Sequence, residues 1–253
     1  MSIPKIIFIV PYRNRPYHRE HFTRYMKYIL EDINNDDYEI YFSHQNDKRP
    51  FNRGAVKNIG FLAMKDKYPN NYKDITFVFN DVDTMPAIKN LVDYNTTDGV
   101  IKHFYGFEFA LGGFFSIKGK DFEKIKGFPN NWGWGFEDNC INDKINRDNT
   151  LTIDRSTFYK IGDERVLQIF DTPMRLVSKK NLHEYKSKQY DNMNHIKNLE
   201  YTIQDDEVLI NNFTTYYTYK SEDFVINNMK ENPNLKLPNP YLTRNSKFGM
   251  RFK

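Results

Sequence analysis

Short unbroken apolar runs alternate with amphipathic stretches through roughly the first 80 residues. Ile6-Ile-Phe-Ile-Val10 and Ile75-Thr-Phe-Val-Phe79 are rich in β-branched and aromatic side chains. Such runs predict strands covered on both faces, as in a parallel sheet. Tyr38-Glu-Ile-Tyr-Phe42 reads as another short strand. Phe22, Tyr25, Met26, Ile29 and Leu30 recur at helical spacing within His18–Ile33, and Ala55, Ile59, Phe61, Leu62 and Met64 do so behind Asn52, a capping residue type. Strand, helix, strand, helix, strand is the order of a parallel, nucleotide-binding type of sheet. Ligands gather outside the carboxyl ends of such strands, where Pro11–Arg15 and Asn80–Asp83 stand.

From residue 100 the pattern changes. Phe104–Phe115 is aromatic and glycine-bearing, Lys120–Ile125 predicts a short helix, and Gly127–Cys140 is a turn-rich stretch leading into a helix through Ile141 and Ile145. A mixed region follows to about residue 212, then a predicted edge strand over Phe213–Tyr219 and an extended surface segment over Asn232–Pro240. No repeat and no Gly/Ser linker divides the chain, so one α/β domain is expected.

Composition narrows the function classes. Aromatics make up 16% of the chain and restore the core area that a 39% apolar share leaves short. The net charge of +4 is a small difference between 37 basic and 33 acidic residues spread throughout, which argues against a nucleic-acid partner. The single cysteine, Cys140, excludes an internal disulfide. No run approaches the ~20 apolar residues of a membrane span, so no integral membrane segment is expected. The start of the chain lacks a basic leader and a small-residue cleavage site, which predicts a strand there and a cytoplasmic protein.

Three clusters carry candidate chemistry. Asp81-Val-Asp83 follows a buried strand, where alternation turns both carboxylates to one side and Val82 away. Paired carboxylates repel and favour a neighbouring hard cation such as Mg²⁺ or Mn²⁺. Arg13 and Arg15 follow the first strand, with Arg53 as a third cation, and guanidiniums suit bidentate contact with phosphate or carboxylate. Trp132-Gly-Trp-Gly-Phe-Glu-Asp138 sets the only two tryptophans, a stacking surface for a sugar ring, directly before two acids at a helix start. Helix N-terminal charge favours the ionised carboxylate, so an acid here suits a base, at a pKa near the ordinary ~3.9. Successive helical residues point about 100° apart, so Glu137 and Asp138 should divide binding and chemistry between them. The bland readings are surface ion pairs for the arginines, a solvated turn for the aspartates, and core tryptophans beside capping acids.

Phe8-Ile-Val-Pro-Tyr-Arg-Asn-Arg15, Phe51-Asn-Arg53, Phe77-Val-Phe-Asn-Asp-Val-Asp83, Gly112-Gly113 and Gly127-Phe-Pro-Asn-Asn-Trp-Gly-Trp-Gly-Phe-Glu-Asp138 resemble, in order, the motifs of the β-1,4-galactosyltransferase family. The resemblance covers roughly residues 6–146. It implies a GT-A type fold, a nucleotide-binding sheet flanked by helices, in a single domain over 1–253. Residues 1–100 would form the nucleotide-binding half and 101–253 the acceptor half with a C-terminal extension. It also implies an inverting, metal-dependent transfer of a hexose from a UDP-sugar to a glycan or glycoconjugate. Pro11, Arg13, Arg15, Phe51 and Arg53 would hold the nucleotide and donor, with Asp81 and Val82 at the donor sugar and Asp83 on the metal, Mn²⁺ or Mg²⁺. Gly113 and Trp134 would line the sugar and acceptor site, Glu137 would bind sugar hydroxyls, and Asp138 matches the base.

The departures define further expectations. Asn139 and Cys140 stand where the family continues its acidic run, which alters acceptor binding at Asn139. Ala110 replaces a bulky aromatic before the Gly-Gly pair, which opens room for an N-acetylated donor. The family's metal-binding histidine is missing, leaving Asp171 or His183 as substitutes, while His18, His21, His44 and His103 read as surface or packing residues. Two rivals remain open: a nucleotidyltransferase, and a nucleotide- or carbohydrate-binding protein with weakened catalysis.

Overall fold

The first apolar run forms β1 (Ile6–Tyr12), with all seven residues buried, in a computed structural model that describes residues 2–179 and 191–228. Helix α1 (Pro16–Ile29) begins earlier than the predicted His18, because Pro16 fixes its first turn, and stops at Ile29 rather than Ile33. Strand β2 (Tyr38–Gln45), helix α2 (Arg53–Lys67) and strand β3 (Thr76–Asn80) complete the predicted series. Asn52 caps α2 as expected, its side chain accepting from the Ala55 amide at 3.0 Å.

Strands β2 and β3 run parallel to β1 on either side of it. After the short β4 (Thr84–Pro86), strands β5 (Val100–Gly106) and β6 (Phe114–Lys118) extend the sheet antiparallel to each other, with β6 beside β3. Helices α3 (Gly119–Lys124) and α4 (Glu137–Asn146) follow. Strands β7 (Thr152–Asp154) and β8 (Tyr159–Lys160) both pair with β5. Beyond them lie β9 (Val166–Gln168), antiparallel to β4, and β10 (Met174–Ser178). The hairpin β11 (Lys197–Gln204) and β12 (Glu207–Thr214) returns to the main sheet, β12 parallel to β2, and β13 (Phe224–Asn228) pairs with β10.

Alternation along β1 divides the core. Ile7 and Ile9 face α2, where they join Ile59, Phe61, Phe79 and Phe128; Phe8 and Val10 face α1, with Phe22 and Met26. On the α2 side the rings of Phe79 and Phe122 lie 4.5 Å apart and those of Phe61 and Phe77 4.9 Å apart. Such pairs add about 0.5–1.5 kcal/mol each beyond burial.

The predicted edge strand over Phe213–Tyr219 does not form. Strand β12 ends at Thr214, and it lies inside the sheet between β11 and β2. The following residues turn to accept from the Trp132 indole, whose Nε1 donates to the Tyr217 carbonyl at 2.8 Å. The stretch Asn232–Pro240 and His183 lie outside the described residues. No helix among the described residues is long and apolar enough to cross a membrane.

Candidate active site

The turn after β1 separates its two arginines. Asn14 adopts a left-handed backbone (φ 49°), which sends their side chains to different partners. Arg13 donates to the Gln45 carbonyl and to Asp47, each at 3.4 Å. Arg15 bridges two carboxylates, with Nη1 2.9 Å from Asp83 Oδ2 and Nε 3.0 Å from Asp171 Oδ2. The carboxylate pair after β3 lies in a turn rather than an extended strand, the Thr84 amide donating to the Asp81 carbonyl at 3.1 Å. Val82 is buried in the core on the α1 side. Burial and the neighbouring Asp81 charge push the Asp83 carboxyl up, against the opposing pull of Arg15.

The Gly112-Gly113 turn fastens this cluster to the start of α4. The Asp81 amide donates to the Gly113 carbonyl at 2.9 Å, and the Leu111 amide donates to the Asp138 carbonyl at 3.0 Å. A Cβ on Gly112 would sit 3.1 Å from Asp138 Oδ2, so a side chain there would crowd the carboxylate. Behind the turn, His103 Nε2 faces the Tyr105 and Gly112 carbonyls, and Nδ1 accepts from Arg155. Burial and Arg155 push His103 down to about 4, so it stays neutral and acts as packing support.

Lys57 closes the arrangement from α2. Its Nζ stands 3.1 Å from Asp138 Oδ1 and 3.7 Å from Asp81 Oδ1. A line of charged groups therefore runs from Asp171 through Arg15, Asp83 and Asp81 to Lys57 and Asp138, with a cation on either side of the Asp81–Asp83 pair. The expectation that Asp138 keeps an ordinary carboxylate pKa is overturned: burial, Glu137 and Asp81 raise it to about 7, although Lys57 opposes them. A carboxylate so placed titrates near neutrality, where a general base is most effective.

The Trp-Gly-Trp-Gly stretch splits. Trp132 is core: only 4% exposed, it stacks on Phe213 at 5.6 Å with the Arg49 guanidinium over it. Trp134 lines a cleft with Arg15, Phe51, Arg53, Gly133 and Arg175. The two-indole platform is thus a single indole, because strand β10 holds the loop, the Trp134 amide donating to the Leu176 carbonyl at 2.7 Å. Phe136, left-handed at φ 70°, turns the chain sharply into α4. Glu137 is buried and accepts from the Gly135 amide.

Sequence reasoning missed two cations here, Lys57 and Arg175. Arg175 is fixed by its own loop, donating to the Thr172 and Met174 carbonyls. Burial and the charges of Arg53 and Arg15 depress its pKa. Neither Arg53 nor Arg175 forms an ion pair among the described residues, so the cleft holds positive charge suited to an anion. Of the remaining expected site residues, Pro11 is the penultimate residue of β1, Ala110 is buried beside the glycine turn, and Asn139 donates to the Phe109 carbonyl at 3.3 Å. The half-exposed rings of Phe107 and Phe109, stacked 5.1 Å apart, flank that position and were also missed.

Among the described residues no group of three or more His, Cys, Asp or Glu could hold a metal ion. Asp83 and Asp171 both pair with the Arg15 guanidinium, and carboxylate oxygens are the ligand type that a hard cation takes together with water and phosphate.

Two family descriptions match the sequence: the N-terminal region of glycosyl transferase group 7 over residues 1–95 and the N-terminal domain of galactosyltransferase over 101–167. The xylosylprotein 4-beta-galactosyltransferase of Caenorhabditis elegans is 31% identical over 226 residues, which cover 82% of this chain and 74% of the nematode protein. This chain belongs to the β-1,4-galactosyltransferase family. Bovine β-1,4-galactosyltransferase 1 is 34% identical over 158 residues, and the chain spans only 37% of that protein's length. The fold is that of Drosophila β-1,4-galactosyltransferase 7, seen in a crystal structure of a mutant with manganese, UDP-Gal and xylobiose. The TM-score is 0.63 at 18% identity, over 85% of this chain and 96% of that one. The mixed sheet is accordingly of the GT-A kind expected from the motifs.

Proposed function

We propose that this chain is an inverting glycosyltransferase that moves galactose or N-acetylgalactosamine from a UDP-sugar to a glycan hydroxyl. The observation that carries the reading is the line of charge from Asp171 to Asp138, with Asp138 beside the Gly112-Gly113 turn and Trp134 beside the arginine-lined cleft. Arg15, Arg53 and Arg175 hold the diphosphate, and Arg13, Pro11 and Phe51 serve the nucleotide side. Val82 offers backbone alone. Asp81, Glu137, Gly113 and Trp134 bind and orient the donor sugar, while Trp134 and Asn139 face the acceptor with the Phe107–Phe109 pair beside them.

Asp138 accepts the proton of the acceptor hydroxyl as that oxygen bonds to the anomeric carbon. The bond from that carbon to the diphosphate oxygen breaks on the opposite side, and its electron pair leaves with UDP. Arg15, already aimed at the site, meets the charge that grows on the leaving group. Asp83 and Asp171 would hold Mn²⁺ or Mg²⁺, which supplies further neutralisation of the diphosphate when bound. The manganese and UDP-Gal bound to the Drosophila relative support this part of the reading.

The deciding experiment is a screen of UDP-sugars against glycan acceptors, with and without Mn²⁺, that measures released UDP and product. UDP release tied to acceptor consumption is expected, and removing divalent cations should lower it. UDP-GalNAc should be used within a few-fold of UDP-Gal, since Ala110 is smaller than the bulky aromatic that the family often carries there. Pyrophosphate release would identify a nucleotidyltransferase, and tight UDP binding without turnover a binding protein.

Arg175→Ala tests the cleft. It removes a charge-assisted contact and is expected to raise the KM for the UDP-sugar about 10-fold or more. The pH profile should stay in place, because Arg175 touches neither Asp138 nor Lys57.

A further inference from the structure

We infer that Lys57 is a positioning residue for transfer: its buried ammonium ties Asp138 to Asp81 and keeps the Asp138 carboxylate ionised where it must take a proton. This rests on the reading of Asp138 as the base.

Lys57 stands four residues after Arg53 on α2, so the two cations share one helix face. Arg53 reaches the cleft, and Lys57 reaches between the carboxylates. Only 3% of Lys57 is exposed, and beyond the two aspartates its ammonium meets the Phe128 ring at 4.8 Å. An ammonium taken out of water is costly unless it is paired, and a well-packed apolar side chain often serves a fold equally well. The fold does not need this charge to join α2 to the 127–131 loop. Asn52 donates to the Asn130 carbonyl at 3.0 Å, and Asn58 donates to the Phe128 carbonyl at 2.9 Å. The charge serves the carboxylates instead.

Three ionisable groups face Asp138 from the elements around it: Lys57 from α2, Asp81 from the turn after β3 and Glu137 from its own helix. Two are acidic and one is basic, so Lys57 is the one side chain of the three that opposes protonation of the base. The hydrogen bond also selects an oxygen. Asp138 Oδ1 is held by Lys57, whereas Oδ2, beside Gly112, has no hydrogen-bond partner among the described residues. Oδ2 is therefore the atom that accepts the proton.

The test uses the full chain and its Lys57→Met variant, which removes the charge with little change in volume. One readout is the titration of ¹³C-labelled aspartate carboxyls by NMR, with Asp138→Asn identifying the Asp138 resonance. The other is the pH profile of kcat/KM for transfer. Loss of an opposite charge at this distance is expected to raise the Asp138 midpoint by about one unit or more. The acid limb of the profile should move by the same amount, with activity recovering at high pH and the KM for the UDP-sugar changing little. Transfer that falls equally at every pH, over an unmoved midpoint, would mark Lys57 as structural and overturn the inference. If methionine prevents folding, Lys57→Gln gives the same two readouts. A wild-type chain that transfers no sugar overturns the functional reading instead, and the carboxyl midpoint still decides whether Lys57 controls Asp138.

Discussion

Asp138→Asn is expected to lower transfer by about 10³-fold or more while UDP binding stays within a few-fold. The asparagine keeps the shape and can still accept from Lys57, but it takes no proton. The residues assigned to the diphosphate lie on other elements and line a cleft that does not include Asp138, so nucleotide affinity should survive. The effect on stability is a balance of two opposing contributions. Asp138 titrates at about 7 in the folded chain, far above the ~3.9 of an unperturbed aspartate. The folded state therefore binds this proton more tightly, and the ionised carboxylate costs stability as pH rises from the unfolded value through the folded one. Above pH ~7 asparagine removes that cost but also takes the ionised partner from the buried Lys57 ammonium, so the melting temperature should change little. In the wild type, transfer should fall about tenfold per pH unit below the midpoint, as the base fills with protons. A melting temperature that drops at pH 8 together with loss of UDP binding would mean that Asp138 holds the fold.

The elements read most clearly are those whose local pattern matches their burial. Strand β1 is apolar throughout because both faces are covered, and α2 shows its helical period behind a capping Asn52. Strand β12 is different: only Val208, Ile210 and Phe213 are fully buried along it, and β11 is largely exposed. Its insertion beside β2 is a long-range pairing that no local pattern contains. The grouping of charged side chains was legible where motif and position coincide, as at Arg15 and Asp83, which meet at 2.9 Å. Trp132 and Trp134 look alike in sequence, and only the contact of Trp132 with Phe213 and Tyr217 separates core from cleft. Lys57 was illegible because a lysine among Val56, Asn58 and Ile59 reads as the solvent side of an amphipathic helix. The pKa of Asp138 escaped for a related reason: helix position favours the ionised form, but burial and two neighbouring acids outweigh it.

The same helix that supplies Arg53 and Lys57 also fixes the loop leading to Trp134 and Asp138, and Gly54 decides how closely they approach. In the first turn of a helix, replacing glycine by alanine ordinarily stabilises by up to about 1 kcal/mol. Here the added Cβ would fall 1.9 Å from the Pro129 carbonyl oxygen and 3.1 Å from its carbon. The obstacle is backbone, and that backbone is pinned. The Phe128 amide donates to Asn58 at 2.8 Å, Asn52 holds the Asn130 carbonyl, and the Asn130 amide donates to Asp191 at 2.8 Å. Moving the loop aside would break several buried hydrogen bonds, each worth about 1 kcal/mol net and more where a buried group is left unpaired. Gly54→Ala is therefore expected to destabilise by about 3 kcal/mol or more, lowering the melting temperature by roughly 6–12 °C in a chain of this size. Whatever folds should still bind UDP through Arg15 and its neighbours, yet transfer sugar poorly, because the displaced loop carries Trp134 and opens α4. An unchanged or raised melting temperature would show that the loop yields at little cost, and that α2 does not set the position of the base.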